Sequence, residues 1–392
     1  MDYERGIVRD LTSALQQPAA RLQVVIGPRQ VGKTTAALQV RDHIKWPSIY
    51  EAADIVPTPG GEWIETHWNR ARKLGDGPKL LILDEVQKIN QWSTTVKRLW
   101  DEDQRNSNDV NVLLLGSSAL QLQQGMSESL AGRFFLHRCT HWSYPECREA
   151  FGWNLDQWIY FGGYPGAASY IHDEDMWSTY ISDSLIEAAI AKDVLQWNPV
   201  RKPALLRELF AVACTHPAQI YSYNKILGQL QDAGNTTTLA NYLTLLEQAC
   251  LLSGLPLFSP NKPRQRSSSP KLFIWNNALV SAFTGKKYDE ARTDGSWWGR
   301  LVENAVGGHL LNGLSGTSFQ IAHWRNGADE MDLVVHRGNT VCGLEVKSGR
   351  PRKAAGIEAF RARFPEADVK LIGSGGIPLE EFFSSEAQEW IS

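Results

Sequence analysis

Three short apolar runs stand out in the first third of the chain, at 22–26 (Leu-Gln-Val-Val-Ile), 80–83 (Leu-Leu-Ile-Leu) and 112–115 (Val-Leu-Leu-Leu). Each stops abruptly, the first at Gly27, the second in Asp84-Glu85 and the third in Gly116-Ser117-Ser118. Runs of this length with no polar alternation fit strands of a parallel sheet covered on both faces. An alanine-rich stretch of helical character follows Lys33, so the chain reads strand, loop, helix around the first run. In open α/β sheets ligands bind at the carboxyl ends of the strands, where these polar residues emerge.

Farther on the pattern changes. Residues 152–193 are aromatic and helical, opened by the turn-rich Phe161-Gly162-Gly163-Tyr164-Pro165-Gly166, and suggest a helical lid. Residues 223–233 predict a helix, Gly234-Asn235 a turn, and 238–249 a second helix with Leu239, Tyr242, Leu243 and Leu246 at helical spacing. Apolar stretches at 251–258 and 272–275 follow, giving the order of a winged helix. The polar, basic segment between them carries Lys262, Arg264, Arg266 and Lys271, and is expected to be a mobile loop. A helix is predicted at 301–311, with extended runs at 331–336 and 341–347 around the turn Gly338-Asn339, and alternating helix and strand to the end. No internal repeat is visible. The expected division is 1–150 for the sheet domain, 151–205 for the lid, 206–275 for the winged helix and 276–392 for a C-terminal α/β domain.

Composition narrows the classes. A chain of 392 residues is long for one core, and its net charge of −3 gives no global field for nucleic acid, so such binding requires a local patch. The five cysteines, Cys139, Cys147, Cys214, Cys250 and Cys342, are scattered without a C-x-x-C pair, which argues against a zinc site or a disulfide framework. The charged start Met1-Asp2-Tyr3-Glu4-Arg5 lacks a signal-peptide pattern, and no apolar run approaches the roughly 18 residues of a membrane helix. The expectation is a cytoplasmic protein with no membrane association.

The most specific chemistry lies just after the first run. Gly27-Pro28-Arg29-Gln30-Val31-Gly32-Lys33-Thr34 matches G-x-x-x-x-G-K-[ST] between a strand and a helix. Glycines let the backbone wrap phosphates, with N–H groups and the helix terminus facing the anion. Lys33 is placed to reach the β and γ phosphates, Thr34 to ligate Mg²⁺, and Thr35 to line the same cradle. Asp84 would hold the magnesium shell, and Glu85 would orient and polarise the attacking water. Ser117 or Ser118 is a candidate to sense the γ-phosphate, although serines commonly end strands. Neither Asn224-Lys225 nor Asn261-Lys262 extends to the N-K-x-D guanine signature, which favours ATP over GTP.

With these residues the chain resembles prokaryotic AAA-type ATPases whose C-terminal region is similar to PD-(D/E)xK nucleases. The matching segments are 27–34, Leu-Asp-Glu at 83–85, Gly-Ser-Ser at 116–118, Ser-Leu-Ala-Gly-Arg at 129–133, Gly-Gly-Tyr-Pro at 162–165 and Glu-Val-Lys at 345–347, so the resemblance spans essentially the whole chain. It implies an AAA core, a winged-helix middle and a restriction-endonuclease-like end. It also makes Arg133 a candidate to stabilise charge on the transferring phosphate, in cis or from a neighbouring subunit of a homo-oligomer; a structural ion pair is the alternative.

The C-terminal residues carry a second constellation. Glu345 and Lys347 project to one face of an extended run while Val346 points to the core, and Asp332 opens the neighbouring run. If the runs pair, Asp332 and Glu345, with Glu303 as third carboxylate, could hold a second Mg²⁺ or Mn²⁺, and Lys347 could position or deprotonate the water it activates. Met331 stands where the nuclease pattern has proline. Two other readings stay open, a solvated acidic strand edge and a nuclease fold that no longer turns over. DNA is the expected partner, through Lys262, Arg264, Arg266 and Lys271 or through Lys347, Arg350, Arg352 and Lys353, because no lysine or arginine occurs from Ile226 through Asn261 to serve a recognition helix. The leading expectation is an ATP-binding and hydrolysing protein whose nucleotide state controls a metal-dependent, DNA-directed nuclease-like C-terminal domain; a non-cleaving ATP-driven switch or interaction module and a nuclease of the defence class are the competing functions.

Overall fold

In a computed structural model, residues 3–17, 21–54, 60–116, 129–195, 200–229, 235–260, 269–349 and 355–391 are described. They fall into two compact units, Met1–Thr140 and His141–Ser392.

The first unit is built on α1 (Gly6–Leu15), β1 (Leu22–Ile26), α2 (Lys33–Ile44), β2 (Ser48–Ala52), α3 (Gly61–Arg72), β3 (Lys79–Asp84), α4 (Trp92–Asn106), β4 (Val110–Gly116) and β5 (Phe134–Arg138). Its five strands pair in parallel in the order β2-β3-β4-β1-β5. Successive side chains of each strand enter opposite cores. Val25, Leu80, Ile82, Leu113 and Leu115 meet Val8 and Leu11 of α1 and Ala36, Ala37 and Val40 of α2. Val24, Ile26, Leu81, Leu83 and Leu114 meet Ile64 and Trp68 of α3 and Val96 and Leu99 of α4. With both faces of β1, β3 and β4 covered, these strands are apolar nearly throughout, and the polar Gln23 of β1 is buried with its Nε2 donating to Arg21 O at 2.8 Å. Asp103 is buried under α3 yet satisfied, accepting from Trp68 Nε1 at 2.6 Å, Arg72 Nε at 2.7 Å and Asn108 Nδ2 at 2.8 Å.

The second unit opens with α5 (Tyr144–Phe151) and α6 (Leu155–Phe161), each started by a capping box, Ser143 with Glu146 and Asn154 with Gln157. The aromatic run then packs ring on ring, with Phe161 5.1 Å from Trp177 and 5.6 Å from Tyr288 between centroids. Next come α8 (Pro203–Thr215), after α7 (Glu174–Thr179), then β6 (Gln219–Ile220), α9 (Tyr223–Gln229), α10 (Thr236–Gln248), β7 (Leu252–Leu255) and β8 (Lys271–Ile274). The three strands form an antiparallel sheet in the order β6-β8-β7. Residues 230–234 and 261–268 lie outside the described residues. Lys271, expected in the basic loop, is instead the first residue of β8 and only 1% exposed.

After α11 (Asn277–Thr284) and α12 (Tyr288–Thr293), the long α13 (Gly295–Gly313) packs along β8. Asn304 sets that packing: its Oδ1 accepts from Ile274 N and its Nδ2 donates to Ile274 O, both at 2.9 Å. A β-carbon on Gly307 would fall 2.1 Å from the Phe273 ring, so the helix approaches β8 through a residue with no side chain. A four-stranded sheet follows in the order β12-β11-β10-β9, made of β9 (Gln320–Asn326), β10 (Asp329–Arg337), β11 (Thr340–Lys347) and β12 (Asp368–Gly373). Its outer pair β11–β12 is parallel and the others are antiparallel. Among the described residues no helix is long and apolar enough to cross a membrane.

His309 of α13 packs 5.2 and 5.6 Å from the rings of Phe382 and Phe383, and its Nε2 has no hydrogen-bond partner. Burial pushes its pKa down to about 4. An unfolded chain takes up this proton as pH falls through about 6.5 while the folded one resists until about 4, so stability is lost across that interval. His309→Leu is therefore expected to flatten the fall in Tm between these values in a thermal-denaturation series. A variant that loses stability as steeply as the wild type would contradict the neutral, buried imidazole.

Candidate functional site

The loop after β1 is shaped by sterics before any ligand is considered. A β-carbon on Gly27 would lie 1.9 Å from the Cys139 carbonyl oxygen, so only glycine lets the chain turn beside the end of β5. Gln30 and Gly32 take left-handed conformations, with φ of 61° and 92°, and the second opens α2. Arg5, buried ahead of α1, donates to Val31 O at 3.1 Å and Thr140 O at 3.0 Å, pinning the loop to the chain after β5. Lys33 is buried, its ammonium donating to Gly27 O at 2.9 Å and Pro28 O at 2.6 Å. Pro28 and Val31 are buried, Arg29 is half-buried, and Thr35 is exposed on the first turn of α2.

Thr34 Oγ1 donates to Asp84 Oδ2 at 2.6 Å, joining the start of α2 to the end of β3 across the sheet. The other carboxylate oxygen accepts from Glu85 N at 2.8 Å. Burial raises the Asp84 pKa, partly countered by the Thr34 hydroxyl. Glu85 is left-handed at φ 54°, and its Oε2 accepts from Gln87 Nε2 at 2.7 Å. A β-branched or bulky residue would be strained there. Tyr50, which the sequence reading passed over, donates its hydroxyl to Asp84 Oδ2 at 3.2 Å, and burial with the Asp84 charge pushes its pKa up to about 12. Tyr50 is the middle residue of β2, two positions before its carboxyl end, in a strand of mixed residues that carries no motif; its phenol oxygen reaches the site. Ser117 and Ser118 lie outside the described residues.

In the second unit, the register that pairs Leu333 with Leu344 sets Asp332 beside Glu345. Asp332 Oδ2 accepts from Val346 N at 2.9 Å, and Glu345 Oε1 accepts from Lys347 Nζ on the same face of β11. Glu303 joins from α13, carried there by the Asn304 clamp. The ammonium of Lys271 stands among these carboxylates, 2.7 Å from Glu303 Oε1, 2.9 Å from Glu330 Oε1 and 3.1 Å from Asp332 Oδ1. Burial alone would lower its pKa, but the three carboxylates hold it above the usual lysine range. Burial and then the Asp332 charge push Glu303 up to about 8, and burial raises Glu345. For Asp332 burial is outweighed by Lys271 and the Val346 N–H, and its pKa falls.

A second metal as expected from Glu303, Asp332 and Glu345 meets this arrangement with a conflict. Glu345 Oε2 is buried without a hydrogen-bond partner, which suits a cation. The place nearest the carboxylates is nevertheless taken by Lys271 Nζ, and among the described residues no group of three or more His, Cys, Asp or Glu side chains is disposed to hold a metal ion. The residues as arranged do not fit a divalent ion.

Residues 19–147 match the family described as an AAA domain. The N-terminal unit is an AAA-type P-loop ATPase domain. Residues 152–290 and 298–376 match two families described only as domains of unknown function, DUF8612 and DUF4143. No curated protein matches the chain. Among solved structures it is similar to the Aeropyrum pernix ORC1 protein in complex with DNA, at 13% identity over 73% of this chain and 93% of that one, with a TM-score of 0.32. It is also similar to the Thermotoga maritima RuvB Holliday junction branch migration motor, at 13% identity over 64% and 90%, with a TM-score of 0.35. Both likenesses are too distant to carry an argument about function.

Within the ATPase domain Arg133 does not stand where a phosphate-facing arginine of the same subunit must. Phe134 pairs with Leu22 at the start of β1, whereas the phosphate loop follows Ile26 at its end, about 13 Å along the strand at ~3.3 Å per residue. Its guanidinium is bound bidentately by Asp101, Nε to Oδ1 at 2.8 Å and Nη2 to Oδ2 at 3.2 Å. The β5 arginine level with the loop is Arg138, paired with Ile26. Arg133 is thus held in an ion pair with Asp101, toward the end of the sheet away from the phosphate loop.

Because Tyr50 donates to the Asp84 carboxylate, Tyr50→Phe is expected to lower kcat for ATP hydrolysis by about tenfold with little change in KM, the loss of one hydrogen bond to a charged group. A wild-type kcat would show that the phenol only fills space.

Proposed function

We propose that the chain is a Mg²⁺-dependent ATPase whose nucleotide state governs a DNA-directed C-terminal region of nuclease-like fold, in a form that does not cleave. Lys33 would hold the β and γ phosphates, Thr34 and Asp84 the magnesium shell, and Glu85 the attacking water. Gly27, Pro28, Arg29, Gln30, Val31, Gly32 and Thr35 would form the cradle. Mg²⁺, when bound, supplies charge neutralisation to the phosphates. The carrying observation is the 2.6 Å contact between Thr34 Oγ1 and Asp84 Oδ2, which brings the two motifs to one point. Hydrolysis alternates the charge at that point, and a change of charge beside a buried carboxylate is what a switch needs.

Residues 206–275 are assigned as the winged helix and 276–392 as the nuclease-like domain, a reading supported by the helix, strand, helix, helix, strand, strand order of the first segment. The segment at 151–205 is assigned as the lid. Arg133 is kept for a neighbouring subunit of a homo-oligomer, and the setting is cytoplasmic. The non-cleaving form follows from Lys271 in the acidic cluster. A second reading, a metal-dependent nuclease under ATP control, is favoured by the buried, unpartnered Glu345 Oε2. It would use Lys347 beside Glu345 to position or deprotonate water.

Plasmid, linear duplex and single-stranded DNA are to be incubated with Mg²⁺ or Mn²⁺, with and without ATP, using wild type, Lys33→Ala and Glu345→Ala. The expected outcome is ATP hydrolysis that DNA stimulates and salt weakens, reduced at least ~10²-fold by Lys33→Ala, with no cleavage. Cleavage abolished by Glu345→Ala would establish the second reading. Hydrolysis indifferent to every DNA, with no salt-dependent binding, would remove DNA from the proposal.

A further inference from the structure

An ordinary buried ion pair matches one cation with one anion. Lys271 is matched with three carboxylates, from α13 and β10, and also donates to the Asp332 carbonyl oxygen at 3.2 Å. Glu345 joins them from β11 and pairs with Lys347, so four carboxylates share two ammonium groups. Several hard oxygens converging on one point from separate elements is the donor set of a divalent cation. A lysine as deeply buried as this one is rare, and its position is built. Lys271 pairs with Ile220 on one side and Leu255 on the other, in the centre of a different sheet from the one that carries Asp332 and Glu345, while Asn304 fixes β8 against the helix bearing Glu303.

We infer that Lys271 is an internal cation holding the place of a divalent metal, so that the acidic cluster is a latent metal site closed by the chain's own ammonium. This rests on the nuclease-like reading of the C-terminal region. The metal expected from the acidic residues is displaced because a divalent ion at the Lys271 Nζ position would have to expel a positive charge already held there. Lys347 differs in kind: it lies on the same strand as its partner Glu345 and leaves the second oxygen of that carboxylate unpartnered.

The test uses the full chain carrying Asp84→Asn, which removes the metal ligand of the ATPase site, with Mn²⁺ alone as probe and binding followed by calorimetry and by Tm. The parent is expected to bind no Mn²⁺ at the acidic cluster. Adding Lys271→Met, which keeps most of the aliphatic stem, is expected to create one Mn²⁺ site per chain, raise Tm when Mn²⁺ is added, and lose both effects on further change of Glu345→Gln. If Lys271→Met does not fold alone, Lys271→Met with Glu330→Gln keeps Glu303, Asp332 and Glu345 while removing one repelling charge, and is read in the same way. Mn²⁺ already bound by the parent and lost with Glu345→Gln would overturn the inference while leaving the nuclease-like reading intact. No Mn²⁺ in the folded Lys271 variants would overturn it together with that reading, making the cluster a structural ion network only.

Discussion

Removing a charge from water costs several kcal/mol unless the protein returns an opposite charge or a set of hydrogen bonds, and this constraint shapes both units. At the phosphate loop of the ATPase domain Lys33 and Asp84 are buried, one held by carbonyl oxygens of the loop and the other by Thr34, Tyr50 and the Glu85 N–H. In the acidic cluster of the second unit the buried cation is Lys271 and its hosts are carboxylates. Around each point the backbone is organised to deliver partners: a parallel sheet whose strand ends converge in one case, and two sheets with a clamped helix in the other.

The direction of β5 shows how a sheet decides chemistry. Parallel pairing with β1 puts Arg138 at the loop end and Arg133 at the far end, where Asp101 neutralises it. A glycine-arginine pair read along the chain carries no such information, since either end of a five-residue strand is equally near in sequence. Tyr50 makes the complementary point, because a residue that packs with its ring on one core also hands a hydroxyl to the carboxylate at the next strand's end.

Much of the fold was legible from pattern. The apolar runs at 22–26, 80–83 and 112–115 became β1, β3 and β4, and the extended runs at 331–336 and 341–347 became β10 and β11. The helix expected at 301–311 is the inner part of α13. Less legible were β2 and β5: each is only partly buried, and their mixed residues mimic loop or helix. Lys271 was misplaced for a related reason. It follows a polar, basic stretch, and composition assigns a charged residue to solvent, yet its strand lies in the middle of its sheet.

What the sequence by itself determined was every feature whose parts are neighbours in the chain: the phosphate loop, the acidic pair after β3, the Glu-Val-Lys strand and the periodicity of the helices. Their spacing is short, so local geometry imposes their arrangement. Only the tertiary structure decided which distant groups meet. Lys271 lies 59 residues from Glu330 and 61 from Asp332, and nothing local brings them together. Strand pairing and the Asn304 clamp do so, and buried charge then makes the contact obligatory, turning an acidic cluster that reads as a metal site into one that already contains its cation.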